Sequence, residues 1–470
     1  MQIPILNGIY TDEAADFRSS YPRNLVPVPK DGGISKGYLR PADGIVLHTT
    51  GASTDRGGIN WRGACYRVIG TSLVIVADDG TISTLGAVAA GGQVTFDYSF
   101  DRLGVSAGGN LYYWDGATLT QVTDPDLGLV VDMLWVDGYF MTTDGVSLVV
   151  TELNAPTVVN PLKYGSSEVD PDRVVGLLKL RNEVYAMNRY TIEVFNNVGG
   201  ALFPFERNTG AQISRGVIGT YAAAVYFAGV NEAIAFLGSA RNEPPAVWLG
   251  VNSQTGKIST REIDTILQGY TEAELELVVM EARIDKSHQM LYMHLPDQTL
   301  VYDGAASAAV GEPVWFHLVS SLTALGQYRA RNLVWCYNKW LCGDPTSAAL
   351  GYLVDNVSSH YGDMVGWEFG TSILYNEGFG IIIHQLELVC LPGRVALGDA
   401  PVVWTSFSLD GELWSMEIQC PAGRQGDRAR RLTWLQQGAM ESWRVQRFRG
   451  TSDVHASFAR LEAKVEPLYA

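Results

Sequence analysis

QMLYMHLPDQTLVYDG, residues Gln289–Gly304, has the pattern of a β-hairpin. Apolar and polar residues alternate through Leu291, Met293 and Leu295, a turn follows at Pro296–Gln298, and a second apolar run ends in an Asp-Gly pair. A period of two places every second side chain on one face of a strand, and Asp-Gly favours tight turns. The stretch therefore predicts two antiparallel strands closed by turns.

Similar hairpins recur along the chain, in Asn110–Thr120, Asp137–Val150, Asn182–Asn197 and Asn332–Asp344. Between about residues 45 and 362 we place seven apolar cores: Tyr66–Val76, Leu103–Trp114, Met133–Val150, Val175–Phe195, Tyr221–Leu237, Leu275–Tyr302 and Leu333–Leu341. Their centres lie roughly 35 to 60 residues apart, which brackets the 40 to 50 residues of a four-stranded propeller blade. We predict a mainly β fold containing a propeller-like ring of about six or seven blades. A large β-sandwich is the alternative, and it would have to protect edge strands that a closed ring removes.

Composition divides the chain into three parts. Residues 1–45 contain five prolines and predict an extended N-terminal arm with one or two short edge strands, lying on its own domain or on a neighbouring subunit. Residues 46–362 form the predicted propeller. Residues 363–470 contain five tryptophans and alternating runs, which predict a C-terminal β-rich unit for which a sandwich is one arrangement.

The charge is acidic, with 34 basic and 50 acidic residues and a formal net charge of −16. Binding nucleic acid over a whole surface needs concentrated positive charge, so this balance excludes it. Either the charge provides solubility, or an acidic inner wall lets DNA slide past without adhering. We expect the N-terminus not to be a signal peptide, and no apolar run approaches the ~18 residues of a membrane span.

The sequence predicts no catalytic residues, no cofactor and no metal. Seven histidines are scattered outside known catalytic or zinc motifs, and His288 and His294 lie about 20 Å apart on a straight strand, so they share no metal. The five cysteines lack zinc spacing and predict buried free thiols: Cys65, Cys336, Cys342, Cys390 and Cys420. A carboxylate pair for glycoside hydrolysis stays open, because such pairs meet only in three dimensions.

Two motifs resemble functional sites. Gly250–Lys257 resembles a phosphate-binding loop, but it has one residue too many between its glycines and Ile258 in place of Ser or Thr, so we interpret it as a hairpin turn. Ser408–Trp414 resembles the Asp-box turn of sialidase-type propellers, in which the Asp bonds backbone amides. This turn and the many aromatic residues support the alternative function, a glycan-binding or glycan-cleaving propeller.

An arginine cluster stands out against the acidic background. Its members are candidate partner contacts: Arg424, Arg428, Arg430, Arg431, Arg444, Arg447 and Arg449. Guanidinium groups bind carboxylate or phosphate in a planar, bidentate manner, so the cluster is a candidate docking surface. The alternatives are a solvated face with internal ion pairs and, through Trp434, Trp443 and Phe448, stacking with single-stranded nucleic acid.

Several long segments resemble one protein family. Met1–Ile5, Tyr21–Pro29 and Gly37–Pro41 closely resemble the packaged-DNA stabilisation, or tail-hub, proteins of short-tailed lambdoid bacteriophages. The resemblance covers nearly the whole chain, including Phe96–Tyr113 and Arg430–Phe448. It rests on long similarity rather than on a short functional motif.

The resemblance implies a structural virion protein of the phage tail, made in the host cytoplasm. It implies a ring of six copies below the portal and adaptor proteins, which closes the DNA channel to retain the packaged genome until DNA ejection. It also implies that the ring holds the trimeric tail needle, with tailspikes attached around the same assembly. DNA would pass through without sequence-specific binding, and no membrane insertion is implied.

Overall fold

The fold is mainly β and comprises a propeller and a sandwich. A computed structural model describes residues 2–3, 5, 22–30, 35–153, 155–229, 231–376, 379–395, 397–411, 413–450 and 456–468. The three described helices are short, at Arg261–Gln268, Glu272–Leu275 and Gly304–Val310. None of the helices in these ranges is long and apolar enough to cross a membrane.

Seven antiparallel sheets form the blades of the propeller. Blades 1 to 3 consist of Asp55–Trp61, Ala64–Ile69, Ser72–Val76 and Ile82–Ala87; Thr95–Tyr98, Leu103–Ala107, Asn110–Trp114 and Leu119–Gln121; and Asp132–Val136, Tyr139–Thr143, Ser147–Glu152 and Ala155–Ser166. Blades 4 and 5 consist of Val174–Leu180, Glu183–Asn188, Ile192–Asn197 and Phe205–Arg207; and Gly216–Val217, Ala223–Ala228, Asn231–Ser239, Ala246–Val251 and Gln254–Lys257. Blades 6 and 7 consist of Val279–Asp285, His288–His294, Thr299–Asp303 and Trp315–Leu318; and Arg331–Cys336, Lys339–Gly343, Ala349–Val354 and Gly44–Thr50.

The ring closes through a strand from the other end of the propeller sequence. Gly44–Thr50 is the outermost strand of blade 7 and pairs antiparallel with Ala349–Val354. The innermost strands contact one another from each blade to the next, including from blade 7 to blade 1. This arrangement leaves the ring without a free end, and it confirms the predicted propeller of six or seven blades. The large sandwich considered for this region is wrong.

The hairpin at 289–304 forms as predicted, with one difference at its end. His288–His294 pairs with Thr299–Asp303, and Met293 lies opposite Leu300. The Asp-Gly pair does not close a turn. Asp303 instead begins the helix Gly304–Val310, because its Oδ1 accepts the amides of Ala305 and Ala306 at 3.1 and 3.2 Å. An Asp-Gly pair is compatible with a tight turn and with the start of a helix, and the alanines that follow it favour the helix.

Two short helices lie between blades 5 and 6. Arg261–Gln268 ends at Gly269, and Glu272–Leu275 begins with a capping box between Thr271 and Glu274. Val279 already belongs to the innermost strand of blade 6. The two helices therefore lie in the connection from blade 5 to blade 6, on the face of the propeller where the innermost strands begin.

The C-terminal unit is a sandwich of two sheets. One sheet comprises Gln2–Ile3, Leu25–Pro29, Gly37–Pro41, Ile381–Cys390, Leu432–Leu435, Ala439–Met440 and Phe458–Pro467. The other comprises Trp367–Gly370, Leu374–Tyr375, Val402–Ser408, Ile418–Pro421 and Trp443–Gly450. Aromatic side chains fill the space between them, with Trp434 5.5 Å from Phe448 and Phe369 5.3 Å from Phe458.

The N-terminal arm supplies strands to this sandwich. Leu25–Pro29 and Gly37–Pro41 form a hairpin, and Leu39 lies opposite Phe458. Leu25 and Leu39 are buried in the sandwich core. The described part of the arm therefore packs on its own chain, and it connects the sandwich to the strand that closes the propeller.

Candidate interaction surfaces

A cavity of about 330 Å³ lies on the axis of the propeller. It is lined by residues from all seven blades or the connections into them, among them Gly57, Thr95, Leu177, Tyr221 and Asn332. This volume is that of a small pocket, and the innermost strands of neighbouring blades contact one another around it. Duplex DNA therefore does not pass through the axis of one propeller.

Carboxylates around this cavity hold neighbouring blades together. Asp132 of blade 3 accepts the Leu177 amide of blade 4 at 2.8 Å and the Thr95 hydroxyl of blade 2 at 2.6 Å. Glu281 of blade 6 accepts the amides of Asn332 and Leu333 in blade 7 at 2.7 and 2.6 Å. Burial raises the pKa of Asp132 to about 6. These hydrogen bonds connect neighbouring blades of the ring, and they satisfy the buried carboxylate oxygens.

The two histidines at the ends of the strand His288–His294 take separate structural roles. His288 Nδ1 lies 2.5 Å from Asp303, whereas His294 contacts Thr299 at 2.9 Å and Glu281 at 3.2 Å. Burial lowers the pKa of His294, against the opposing effect of Glu281. Within the described ranges, no group of three or more His, Cys, Asp or Glu side chains is placed to hold a metal ion.

The cysteines are free thiols, and all but Cys390 are buried. Burial raises the pKa of Cys342 and Cys390 to about 12, so little thiolate is present at neutral pH. The prediction of buried free thiols is confirmed for four of the five cysteines, whereas Cys390 is free but only partly buried.

The two sequence motifs that resemble functional sites, Gly250–Lys257 and Ser408–Trp414, are both turns. Gly250–Lys257 spans the end of one strand, a turn at Asn252 and Ser253 with φ of 47° and 64°, and the next strand of blade 5. In Ser408–Trp414, which lies in the sandwich, Asp410 Oδ1 accepts the Leu413 amide at 2.8 Å. Glu412 lies outside the described residues. Because this turn belongs to the sandwich, it does not support a glycan site in the propeller.

The arginine cluster separates into two groups. Four members, Arg424, Arg428, Arg430 and Arg431, lie on an exposed loop between two sandwich strands, which we call the exposed arginine loop. Arg431 forms a bidentate pair with Glu387, and Arg430 Nε donates to the Pro421 carbonyl at 3.3 Å. Arg424 and Arg428 make no ion pair with a residue in the described part of the chain. This loop is the part of the cluster that is available to a partner.

The other three arginines hold the sandwich together. Arg444 has no exposed surface, donates to Gln446 Oε1 at 2.7 Å and lies 3.7 Å from the centre of the Phe407 ring. Burial lowers its pKa to about 10. Arg449 pairs with Glu417 at 2.5 Å, and Arg447 lies over the Trp414 ring at 4.1 Å. In the strand Trp443–Gly450, Arg444 and Phe448 lie on the same, buried side. An alternating pattern of this kind is the sequence signal that distinguishes arginines on a strand from arginines on the exposed loop.

Sequence reasoning missed several exposed residues that neighbour the arginine loop. Arg394 lies on an adjoining loop, which is joined to the arginine loop by the Gly426 amide bonding the Gly393 carbonyl at 3.1 Å. Leu391 and Leu397, on that same loop, are 53% and 88% exposed. An isolated Arg 30 residues before the cluster gives no sequence signal, because only the fold brings the two loops together.

Comparisons with known proteins place the chain in a family. A family model described as Bacteriophage P22 Gp10, beta-propeller, matches residues 1–358, and one described as Bacteriophage P22 Gp10, beta-sandwich, matches residues 366–466. The chain is 29% identical over 384 residues to the tail hub protein gp10 of Salmonella phage P22, covering 77% of this chain and 78% of that protein.

Solved structures resemble the chain only weakly. The Pan2 WD40 domain of Neurospora crassa is 10% identical, with 67% of this chain and 95% of that chain covered and a TM-score of 0.43. PorZ, a surface component of the type-IX secretion system of Porphyromonas gingivalis, is 11% identical, with 80% and 46% covered and a TM-score of 0.38.

The two family matches follow one another in the order of the two domains. Together they extend over the propeller, its closing strand and the sandwich. The resemblance found in the sequence agrees with both matches. This chain therefore belongs to the bacteriophage P22 Gp10 family.

Proposed function

We propose that this chain is a tail-hub protein, a structural component of the tail of a bacteriophage virion. The observation that carries the proposal is the similarity to the tail hub protein gp10 of Salmonella phage P22, which extends over 77% of the chain. Family matches to both the propeller and the sandwich support it. The proposed role is structural and not enzymatic.

In the proposed virion, six copies form a ring below the portal and adaptor proteins. The ring closes the DNA channel to retain the genome, holds the trimeric tail needle, and has tailspikes attached around it. The small volume of the axial cavity supports a channel surrounded by several subunits, because the cavity of one propeller is too small to hold a duplex. Each propeller then serves as a solid part of the channel wall.

The use of the buried polar groups supports a structural role. Asp132 and Glu281 bond neighbouring blades, and His288 bonds Asp303 within its own blade. A catalytic carboxylate needs access to a substrate, whereas these side chains are bonded inside the protein. Rigidity of this kind suits a wall that resists the pressure of packaged DNA.

The exposed arginine loop is the proposed partner contact of the hub. It carries four guanidinium groups on a chain with a net charge of −16, and Arg424 and Arg428 are unpaired within the described residues. Arginine is the side chain best suited to bidentate contact with a carboxylate or phosphate. The buried Arg444 takes no part in this contact.

The test is completion of phage particles in vitro. Particles assembled without this protein are incubated with the purified full-length chain and then treated with nuclease, and the protected DNA is measured. We expect the chain to bind at the portal end and to raise the protected fraction. Particles that retain their DNA equally well without the chain, or a chain that never binds to them, would contradict the proposed function.

A further inference from the structure

Two exposed surfaces of opposite charge lie on different domains of this chain. The first, the basic patch, lies on the sandwich and contains four arginines and two leucines: Arg394, Arg424, Arg428, Arg430, Leu391 and Leu397. All six are exposed, and Asp399 and Asp427 are the acidic residues on the same two loops. The Ala422 amide bonds the Pro401 carbonyl at 2.8 Å, which holds the two loops side by side.

The second surface, the acidic face, lies on the propeller where the innermost strands begin. It consists of the turn at 144–147 in blade 3 and the connections 124–131, 167–173 and 271–277, which together contain nine carboxylates. Backbone bonds make the surface continuous: Val131 donates to Thr143 at 2.8 Å, and Val174 donates to Gly145 at 3.0 Å. Arg173 extends it to the short helix through its ion pair with Glu276.

The arginines at the acidic face leave most of its charge unbalanced. Arg173, Arg189 and Arg241 pair with Glu276, Glu272 and Asp170, respectively. Asp126 and Glu168 are exposed and have no ion pair with a residue in the described ranges. Four aliphatic side chains lie among the carboxylates and are 41% to 76% exposed: Leu129, Val146, Val169 and Leu277. The acidic face therefore has the same mixture of charge and apolar surface as the basic patch, with the opposite sign.

We infer that the basic patch of one copy binds the acidic face of a second copy of this chain. A second copy is the occupant because a single gene product supplies both complementary surfaces, each with exposed aliphatic groups beside its charges. A contact between two different surfaces of identical chains is heterologous, so it continues from copy to copy until a ring closes. This inference deepens the proposed hub function and rests on it for the closed ring, but the pairwise contact stands by itself.

The test uses the full-length chain and two charge-reversed variants. Sedimentation is measured at about 0.1 M and about 1 M salt, where the Debye length falls from about 10 Å to about 3 Å. Arg424→Glu/Arg428→Glu makes both surfaces acidic, and Asp126→Lys/Glu168→Lys makes the acidic face less acidic. We expect the wild type to associate at the lower salt, each variant alone to associate at least tenfold more weakly, and an equimolar mixture of the two variants to regain most of the affinity.

Controls separate a specific contact from net charge and from misfolding. Arg62→Glu/Lys286→Glu changes the net charge as much as the arginine variant, in hairpin turns at the opposite ends of the innermost strands, and should associate like the wild type. Unchanged thermal midpoints show that the variants fold. A wild type that stays monomeric at both salt concentrations, variants that associate normally, or a mixture without recovery overturns the inference. The inference is also overturned if Arg424→Glu/Arg428→Glu abolishes binding of duplex DNA and leaves self-association unchanged.

Particle completion distinguishes this inference from the proposed function. If Arg424→Glu/Arg428→Glu protects DNA in particles as well as the wild type does, the inference fails and the hub function stands. If the wild type itself fails to bind particles, the hub function fails whatever the sedimentation result.

Discussion

The Arg67 guanidinium lies 2.9 Å from the Asp55 carboxylate, and both side chains are only 1% exposed. This ion pair lies where the last blade meets the first. Asn332 of blade 7 donates its side-chain amide to Asp55 at 2.7 Å and accepts from Arg67 through its carbonyl at 3.1 Å. The pair therefore adds a polar connection to the junction at which the ring closes.

Replacing Asp55 tests this junction. Asp55→Asn leaves the buried Arg67 without its counter-charge, and we expect the free energy of unfolding to fall by about 3–5 kcal/mol. Urea unfolding followed by tryptophan fluorescence measures the change. Asp101→Asn is the matched control, because Asp101 pairs with Arg102 on the surface and is 62% exposed; its loss should cost no more than about 1 kcal/mol. Equal effects of the two substitutions would contradict a special role for the buried pair.

Asp132 predicts a pH dependence of stability. Burial raises its pKa from 3.8 to about 6, so the folded protein binds this proton more tightly than the unfolded chain does. The stability from this group is complete below pH 3.8 and is lost as the pH rises through about 6, by up to about 3 kcal/mol in total.

Unfolding of the wild type and of Asp132→Asn between pH 4 and 7 measures this effect. The difference between the two curves should change by up to about 3 kcal/mol across this range. Asp115→Asn is the control of opposite sign, because backbone bonds from Thr118 and Ala117 lower the pKa of Asp115. Parallel curves for the wild type and Asp132→Asn would refute the prediction.

Asn24 connects three parts of the chain. Its side-chain amide donates to the carbonyls of Gly366 and Val319 at 2.7 and 3.0 Å, and its oxygen accepts the Val319 amide at 2.9 Å. Asn24→Ala leaves these buried groups without a partner, and we expect a loss of about 2–4 kcal/mol. Limited proteolysis between the domains should also become faster.

The backbone of Asn24 is in the left-handed region, with φ of 54°. Asn24→Gly is therefore the matched control, since glycine accepts this φ without strain but lacks the amide. If the contacts matter, the glycine variant is nearly as unstable as the alanine variant. A glycine variant as stable as the wild type would assign the effect to backbone strain alone.

The exposed arginine loop predicts a variant that affects assembly and spares the fold. Arg428→Glu/Arg430→Glu/Arg431→Glu should weaken ring or partner assembly and leave the thermal midpoint close to that of the wild type, because these side chains are exposed. Arg444→Met is the contrasting variant: it removes a buried side chain bonded to Gln446 and Gln437 and should lower the midpoint. If the triple variant assembles like the wild type, the loop is not a partner contact, and a solvated face with internal ion pairs is the better interpretation.

The sequence by itself determined the local structure. Alternation in Gln289–Gly304 gave the correct strands because a strand buries every second side chain. The turn predicted within Gly250–Lys257 is also present, and it includes Asn252, a residue type that is enriched in the left-handed region. The capping box between Thr271 and Glu274 is likewise local, since a cap depends on residues within one turn of the helix. These features depend on sterics and hydrogen bonds between near neighbours in the chain.

Only the tertiary structure decided where distant segments meet. The pairing of Gly44–Thr50 with Ala349–Val354 joins residues about 300 positions apart, and the sandwich receives strands from both ends of the chain. Burial of Arg444 and exposure of Arg428 likewise follow from packing, because the same side chain satisfies its charge inside the sandwich or in solvent. The local sequence pattern determines each strand, whereas the contacts between strands depend on how the whole core packs. The candidate surfaces consist of side chains that this packing leaves exposed.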